Sequence, residues 1–344
     1  MNVSRNEATG NRKPPNPFFS VRFSMRQIRH HLPMQFMLRI KDYGLPISIL
    51  SGIILYRPLS LLKGVVPYMI VLMLFFTFLK LSPKEIKVTK VHWQLLFLQM
   101  GLGLAAYFSI RYLPIPYAEV LAQGFMMCFL CPVASASPVV VGILNGSVGI
   151  ATSYVLLGSL STAISSPIIL GWLGNAHEPF IVSFLKILGG ITPLVILPLI
   201  LAQGARKYTP KLHSRLNLIP SAAFWIWVFA LALIIANTVK YMVQEPVSMI
   251  PTMIYLGILG LIACIIQFSI GKILSKKILG ESVTLGQGLA QKNSTLGIWL
   301  IHTYLNPLAS VGMATYSIWQ NLFNTFQLLL HHKRERKRFT KDNG

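Results

Sequence analysis

Acidic residues are scarce in this chain. Nine Asp and Glu stand against 31 Lys and Arg, and charged residues make up 12% of the sequence, about half the share usual in soluble domains. No two carboxylates are spaced for general acid–base work, and no His, Cys or acidic cluster has metal-ligand spacing. No serine–histidine constellation appears either, so nothing points to an enzyme. Cysteine is nearly absent. Cys128, Cys131 and Cys264 all lie in apolar runs, which excludes a disulfide framework. The Cys128-x-x-Cys131 pair lacks supporting ligands and reads as buried packing. A cleavable signal peptide is not expected, because roughly forty residues of basic sequence precede the first apolar run.

What the chain does have is long apolar runs. Hydrophobic residues are 53% of the sequence and the mean hydropathy is +0.60, the composition of an all-α polytopic membrane protein. The net charge of +22 is compatible with nucleic-acid binding. Its placement argues otherwise, since it lies in short connections and tails, so the expected partner is the lipid bilayer and no nucleic acid. Ten spans of bilayer length are expected at 44–62, 64–81, 92–112, 116–143, 147–172, 179–203, 219–241, 248–271, 281–304 and 306–330. When residues near the span ends are counted with the adjoining connections, 25 Lys and Arg fall on one side and 4 (Arg57, Lys63, Arg111, Lys240) on the other; Lys186 and Lys292 lie inside spans. The positive-inside rule then predicts cytoplasmic termini and a plasma (inner) membrane location. The expected organisation is a basic N-terminal segment (1–43), two five-helix repeats (44–172 and 173–330) and a basic tail (331–344). Residues 1–16 read as disordered. Residues 17–42 read either as an interfacial helix on an anionic leaflet or as an unstructured basic arm.

One stretch organises the rest. Thr284–Gly297, TLGQGLAQKNSTLG, is polar enough to pass for a loop. Yet it lies between a basic cluster at Lys272, Lys276 and Lys277 and the basic tail HHKRERKR (331–338). Both clusters belong on the cytoplasmic side, so the stretch must lie within an extra crossing. Polar, non-helical backbone at that depth is tolerated only when buried in protein or lining a watery cavity, which predicts a broken helix in span 9. Two sets of five spans enter the membrane from opposite sides, hence as inverted repeats. Tight turns at Asn145–Gly146 and Asn306–Pro307 join spans 4–5 and 9–10. Span 4 should therefore be broken as well. It contains CPVASASPVVV (131–141), where Pro132 and Pro138 each remove a backbone donor; a single kink is the other reading. Gly286 and Gly288 are the expected helix-breaking residues of span 9.

Two crossing broken helices bring four half-helix ends together, their N–H groups suited to anions and their carbonyls to cations. Around them are expected Ser135, Ser137, Gln287, Gln291, Lys292, Asn293, Ser294 and Thr295, with Gln99 of span 3 either joining the site or bonding a neighbouring helix. Lys292 is the sharpest feature, since a lysine near mid-membrane is by default functional. Desolvation and an anionic substrate pull its protonation in opposite directions, so it serves as a proton carrier or as a fixed counter-charge. Lys186 is more ambiguous. Glu119 stands out as the one carboxylate beside a span, expected to cap the N-terminus of span 4 rather than to serve a coupling ion.

These residues resemble the bile acid:sodium symporter family. CPVASASPVVV, GQGLAQKNSTLG (286–297), AEV (118–120) and SIWQNL (317–322) carry the likeness, which covers roughly residues 44–330. The resemblance implies a panel domain of spans 1, 2, 6 and 7. It also implies a core of spans 3–5 and 8–10, where discontinuous helices 4 and 9 cross. Members typically move organic anions, usually with sodium. Ser137 and Gln291 match the family pattern and Gln99 matches a glutamine of the second sodium site. Pro138, Gln287 and Lys292 depart from it, replacing an asparagine, the shared sodium-binding glutamate and another asparagine. A charged sodium ligand is lost and a cation gained. The expected function is therefore alternating-access transport of a small organic anion, proton-coupled or facilitative, with Lys292 in the cation space. No cofactor is expected beyond a coupling proton or sodium; a residual sodium site would involve Gln99, Gln287 and Gln291. Sodium-coupled symport, a proton-linked antiporter and a non-transporting membrane sensor or accessory subunit are the alternatives.

Overall fold

A computed structural model describes residues 44–81, 86–173, 179–217 and 222–342; the basic segment read as an interfacial helix or arm lies outside them. Among the described residues there are helices and no strands. Helices occupy every interval assigned to a span. They are α1 (Gly44–Ile54), α2 (Tyr56–Ser60), α3 (Val66–Leu79), α4 (Lys90–Arg111), α5 (Ala118–Leu130), α6 (Ser137–Ile143), α7 (Val148–Leu173), α8 (Phe180–Tyr208), α9 (Pro210–Asn217), α10 (Ala222–Gln244), α11 (Ile250–Leu279), α12 (Thr284–Ala290), α13 (Ser294–Tyr304) and α14 (Ser310–Asp342). Among the described residues, five stretches are long and apolar enough to cross a membrane: α4, α7, α8, Trp225–Gln244 and Val247–Leu279. The lipid-facing character is visible on α11, where Ile254, Ile258, Ile262 and Ile265 are exposed, an apolar stripe that a soluble protein would cover. The last helix, α14, extends as far as Asp342, into the range assigned to the tail.

Residues Pro46–Gly344 form one compact unit in which two groups of helices are packed. In one, α10 lies on α2 and α3, and α3 on α8; in the other, α4 and α11 pack on α5, and α11 also on α12 and α14. The contact of α7 with α8 joins the groups.

Local chemistry explains the two interruptions. The residue before a proline is driven out of the α region, and Cys131, before Pro132, ends α5 with φ −54° and ψ 139°. Pro138 does not break anything. It sits in the first turn of α6, where a missing N–H is no loss. The second interruption has no proline. Gln291 leaves the helix at φ −87°, ψ 95°, and Asn293 opens α13 by accepting from the Leu296 N–H at 3.3 Å, a standard N-cap. Gly286 and Gly288 lie inside α12 and not at its break, which corrects the helix-breaking role expected of them. Gly286 is there for close packing: a Cβ would lie 3.0 Å from Lys272 Cγ.

Candidate functional site

The two interruptions meet. Val133 and Lys292 form an isolated antiparallel bridge, the Ala134 N–H donates to the Gln291 carbonyl at 2.8 Å, and the Asn293 N–H donates to the Pro132 carbonyl at 2.8 Å. Backbone freed by each break is thus satisfied by the other, as buried non-helical backbone requires. The Cys131 thiol adds a contact to the Asn293 carbonyl at 2.9 Å. Cys128, Cys131 and Cys264 are free and buried.

Lys292 sits at this junction and is 1% exposed. Its main chain is clamped by Gln320 of α14, whose Oε1 accepts from the Lys292 N–H at 2.7 Å while its Nε2 donates to the Lys292 carbonyl at 3.1 Å. The ammonium itself has no hydrogen-bond partner among the described residues. Five other buried side-chain atoms share that condition: Ser137 Oγ, Thr295 Oγ1, and the Oε1 atoms of Gln267, Gln287 and Gln291. Native interiors rarely leave such groups unpaired, and each one calls for an explanation in strain, chemistry or a bound water or ion. All but Gln267 belong to α6, α12, the start of α13 and the interruption between α12 and α13.

The other expected residues have defined tasks. Gln99 joins the crossing by bonding a neighbour: its Nε2 donates to the Leu130 and Cys131 carbonyls at 3.1 and 3.2 Å, and its Oε1 accepts from the Tyr154 hydroxyl at 3.0 Å. Its amide therefore occupies the carbonyl end of α5. Ser294 Oγ donates to Ser317 Oγ at 2.9 Å. Gln287 Nε2 donates to Asn324 Oδ1 at 2.9 Å. Ser135 lies in the interruption, half-buried. Lys186 is exposed on α8, away from any such burial. Glu119 does not cap α5 through the backbone; it forms an ion pair with Arg111 and accepts from Tyr107 and Gln123.

Several residues that matter here were not singled out from sequence. Glu281 is a second carboxylate beside a span, and it accepts from the backbone N–H groups of Val283 and Thr284 at the start of α12. Gln267 donates to the Cys128 carbonyl at 3.1 Å and to the Tyr316 hydroxyl at 3.0 Å, and Tyr316 donates to the Ala290 carbonyl at 2.5 Å. Tyr316, Gln320 and Asn324 recur every fourth residue in an apolar helix, which is the readable signal of one polar face.

Gln320→Leu removes both clamps on Lys292 and leaves a buried N–H and C=O unpaired, which costs about 1–3 kcal/mol. The expected outcome is a lower unfolding temperature by circular dichroism. Asn321→Leu, on the half-buried flank of the same helix, serves as the control and should shift it far less.

Helices of membrane length, an apolar exterior and a buried, unpaired polar centre at crossing helix breaks define a polytopic membrane transporter. The SBF-like CPA transporter family model matches residues 58–332, and the chain belongs to that family, which is one of transporters and not of enzymes. No curated protein matches the chain.

Proposed function

We propose that this protein is a secondary transporter moving a small organic anion by alternating access, with the Lys292 ammonium occupying cation space in place of two-sodium coupling. The observation that carries this reading is the buried, unpartnered Lys292 Nζ at the crossing of the two interruptions. A fixed positive charge with no carboxylate partner favours an anionic cargo, and two sodium ions beside it would be repelled. The donors Gln99 Nε2 and Tyr316 Oη already fill the carbonyl ends of α5 and α12, where cations would otherwise be held.

The architecture we propose is ten spans in two inverted repeats, with cytoplasmic termini in a plasma membrane. Matching contacts in the two halves support it. A glutamine–tyrosine pair serves the end of each first half-helix, Gln99–Tyr154 and Gln267–Tyr316. Each tight turn is tied to the opposite repeat's half-helix: the Asn306 N–H donates to Gln123 Oε1 at 3.0 Å, and the Ser147 N–H to Thr284 Oγ1 at 2.7 Å. Such reciprocity is what an inverted repeat generates.

Sodium-coupled symport is a second reading, favoured by the five unpaired oxygens of Ser137, Thr295, Gln267, Gln287 and Gln291, which are hard-cation donors. Uptake of labelled organic anions into proteoliposomes, with sodium and pH gradients varied independently, separates the two. Flux driven by an inward proton gradient, or by the anion gradient alone, and indifferent to sodium is the expected result. Sodium-driven flux would install the second reading, and binding without flux of any anion would point to a sensor.

A further inference from the structure

Away from the crossing, a cavity of about 300 Å³ opens between α2 and the end of α10, lined by Tyr56, Arg57, Ser60, Leu61, Lys240, Val243 and Gln244. Two of the four cations on the sparsely charged side of the chain share it. Arg57 is exposed and Lys240 half-buried. Neither forms an ion pair among the described residues, although Arg111, a third cation of that side, is paired with Glu119. Glu245, next along the chain from Gln244, bonds to neither.

The guanidinium leans on its neighbour. Arg57 Nε donates to the Tyr56 hydroxyl at 3.2 Å, and the group lies 5.9 Å from the centre of the Tyr56 ring. Its two terminal nitrogens are left to grip a planar or tetrahedral oxyanion bidentately, the geometry in which arginine binds phosphate best. Lysine supplies a second, movable charge. The rim is apolar: Leu61 is 79% exposed and Val243 61% exposed, side chains that belong against acyl chains. Tyr56 has the amphipathic character of residues at headgroup depth.

We propose that this cavity binds the phosphate of an anionic phospholipid headgroup, with Arg57 and Lys240 on the phosphate and Leu61 and Val243 along the first acyl carbons. In the topology proposed above it faces the outer leaflet. Cations on that side work against the orientation rule, so a pair of them converging on one cavity has a local reason.

The test is native mass spectrometry of the full chain released from nanodiscs of mixed phosphatidylglycerol and phosphatidylcholine. The wild-type protein should retain phosphatidylglycerol with a preference of roughly tenfold or more, as two surface cations warrant. R57Q/K240Q should lose that preference with an unchanged far-UV spectrum, while Lys63→Gln/Lys90→Gln, equal in charge removed, should keep it. Should the double variant fail to fold, Lys240→Gln alone, at a side chain with no ion pair among the described residues, should still lose most of it. Equal retention by R57Q/K240Q, or no preference in the wild type, overturns the proposal. So does protection of lipid-free protein by millimolar inorganic phosphate that R57Q/K240Q abolishes without any lipid preference, because the occupant is then a soluble anion. Transport is not read in these measurements, so their failure leaves the transport reading standing.

Discussion

Lys292→Met is expected to make the protein more stable and to stop it transporting. The Lys292 Nζ is buried with no hydrogen-bond partner, so the folded state bears either a desolvated ammonium or an unsatisfied amine. Both are unfavourable, by about 1–3 kcal/mol for the neutral group and by more for the charged one. Methionine keeps the unbranched shape and drops the polar head, and apolar replacement of buried charge is commonly neutral or stabilising. A rise in unfolding temperature combined with loss of at least ~90% of anion flux would match the trade-off found where a site is kept strained for function. Any flux that survives should no longer respond to a pH gradient. Lys292→Arg keeps the charge but brings a rigid planar fork into a close-packed junction, so binding of the anion should be reduced and stability lowered. Full transport by Lys292→Met, with the wild-type pH response, would refute the role given to this lysine.

The sequence made the crossing legible because its causes are local. Pro132 forces Cys131 out of the helix whatever surrounds it, and the positive-inside rule, applied to the basic clusters on either side of Thr284–Gly297, leads to the expectation of an interrupted helix there. The glycines were misread for an equally physical reason. In a polar stretch, a glycine that frees the backbone and a glycine that admits a neighbour look alike, and only the approach of Lys272 to Gly286 distinguishes them. Proline is ambiguous in the same way: Pro138 stands at a helix start, where it is tolerated.

Other residues were hidden because their partners are distant in the chain. Gln320 acts on Lys292 from 28 residues away, and Gln267 reaches Cys128 across 139. Spacing along one helix indicates a polar face, as it does for Tyr316, Gln320 and Asn324, but not what that face meets. Gln99 shows the converse. Its two roles were both open from sequence, and the carbonyls of Leu130 and Cys131 make its amide part of the helix end. Glu281 escaped notice because it follows a lysine-rich helix end, where a carboxylate is unremarkable; its bonds to Val283 and Thr284 become visible only once α12 has a defined start.

Gly271→Ala is expected to damage transport more than stability, because of where α12 lies on α11. A Cβ at Gly271 would meet the Leu285 carbonyl at 2.6 Å and Gly286 Cα at 2.7 Å. Both are backbone atoms, which cannot swing aside as a side-chain end does, so the half-helix must move away as a whole. Overpacking of this kind costs about 1–3 kcal/mol. The helix that moves carries Gln287 and leads into Gln291 and Lys292, whose unpaired polar atoms belong to the candidate site, and a site needs its groups held to within about 0.5 Å. Flux measured well below the unfolding temperature should therefore fall by roughly tenfold or more. Gly257→Ala, on the same helix, is the control: its Cβ would make only an ordinary contact, 3.7 Å from Thr315 Cγ2. There alanine's better helix propensity should leave stability unchanged or raise it by up to ~1 kcal/mol, with transport intact. If Gly271→Ala transports like the wild type, α12 has room to shift without disturbing the crossing, and the close contact of α11 with α12 is packing alone.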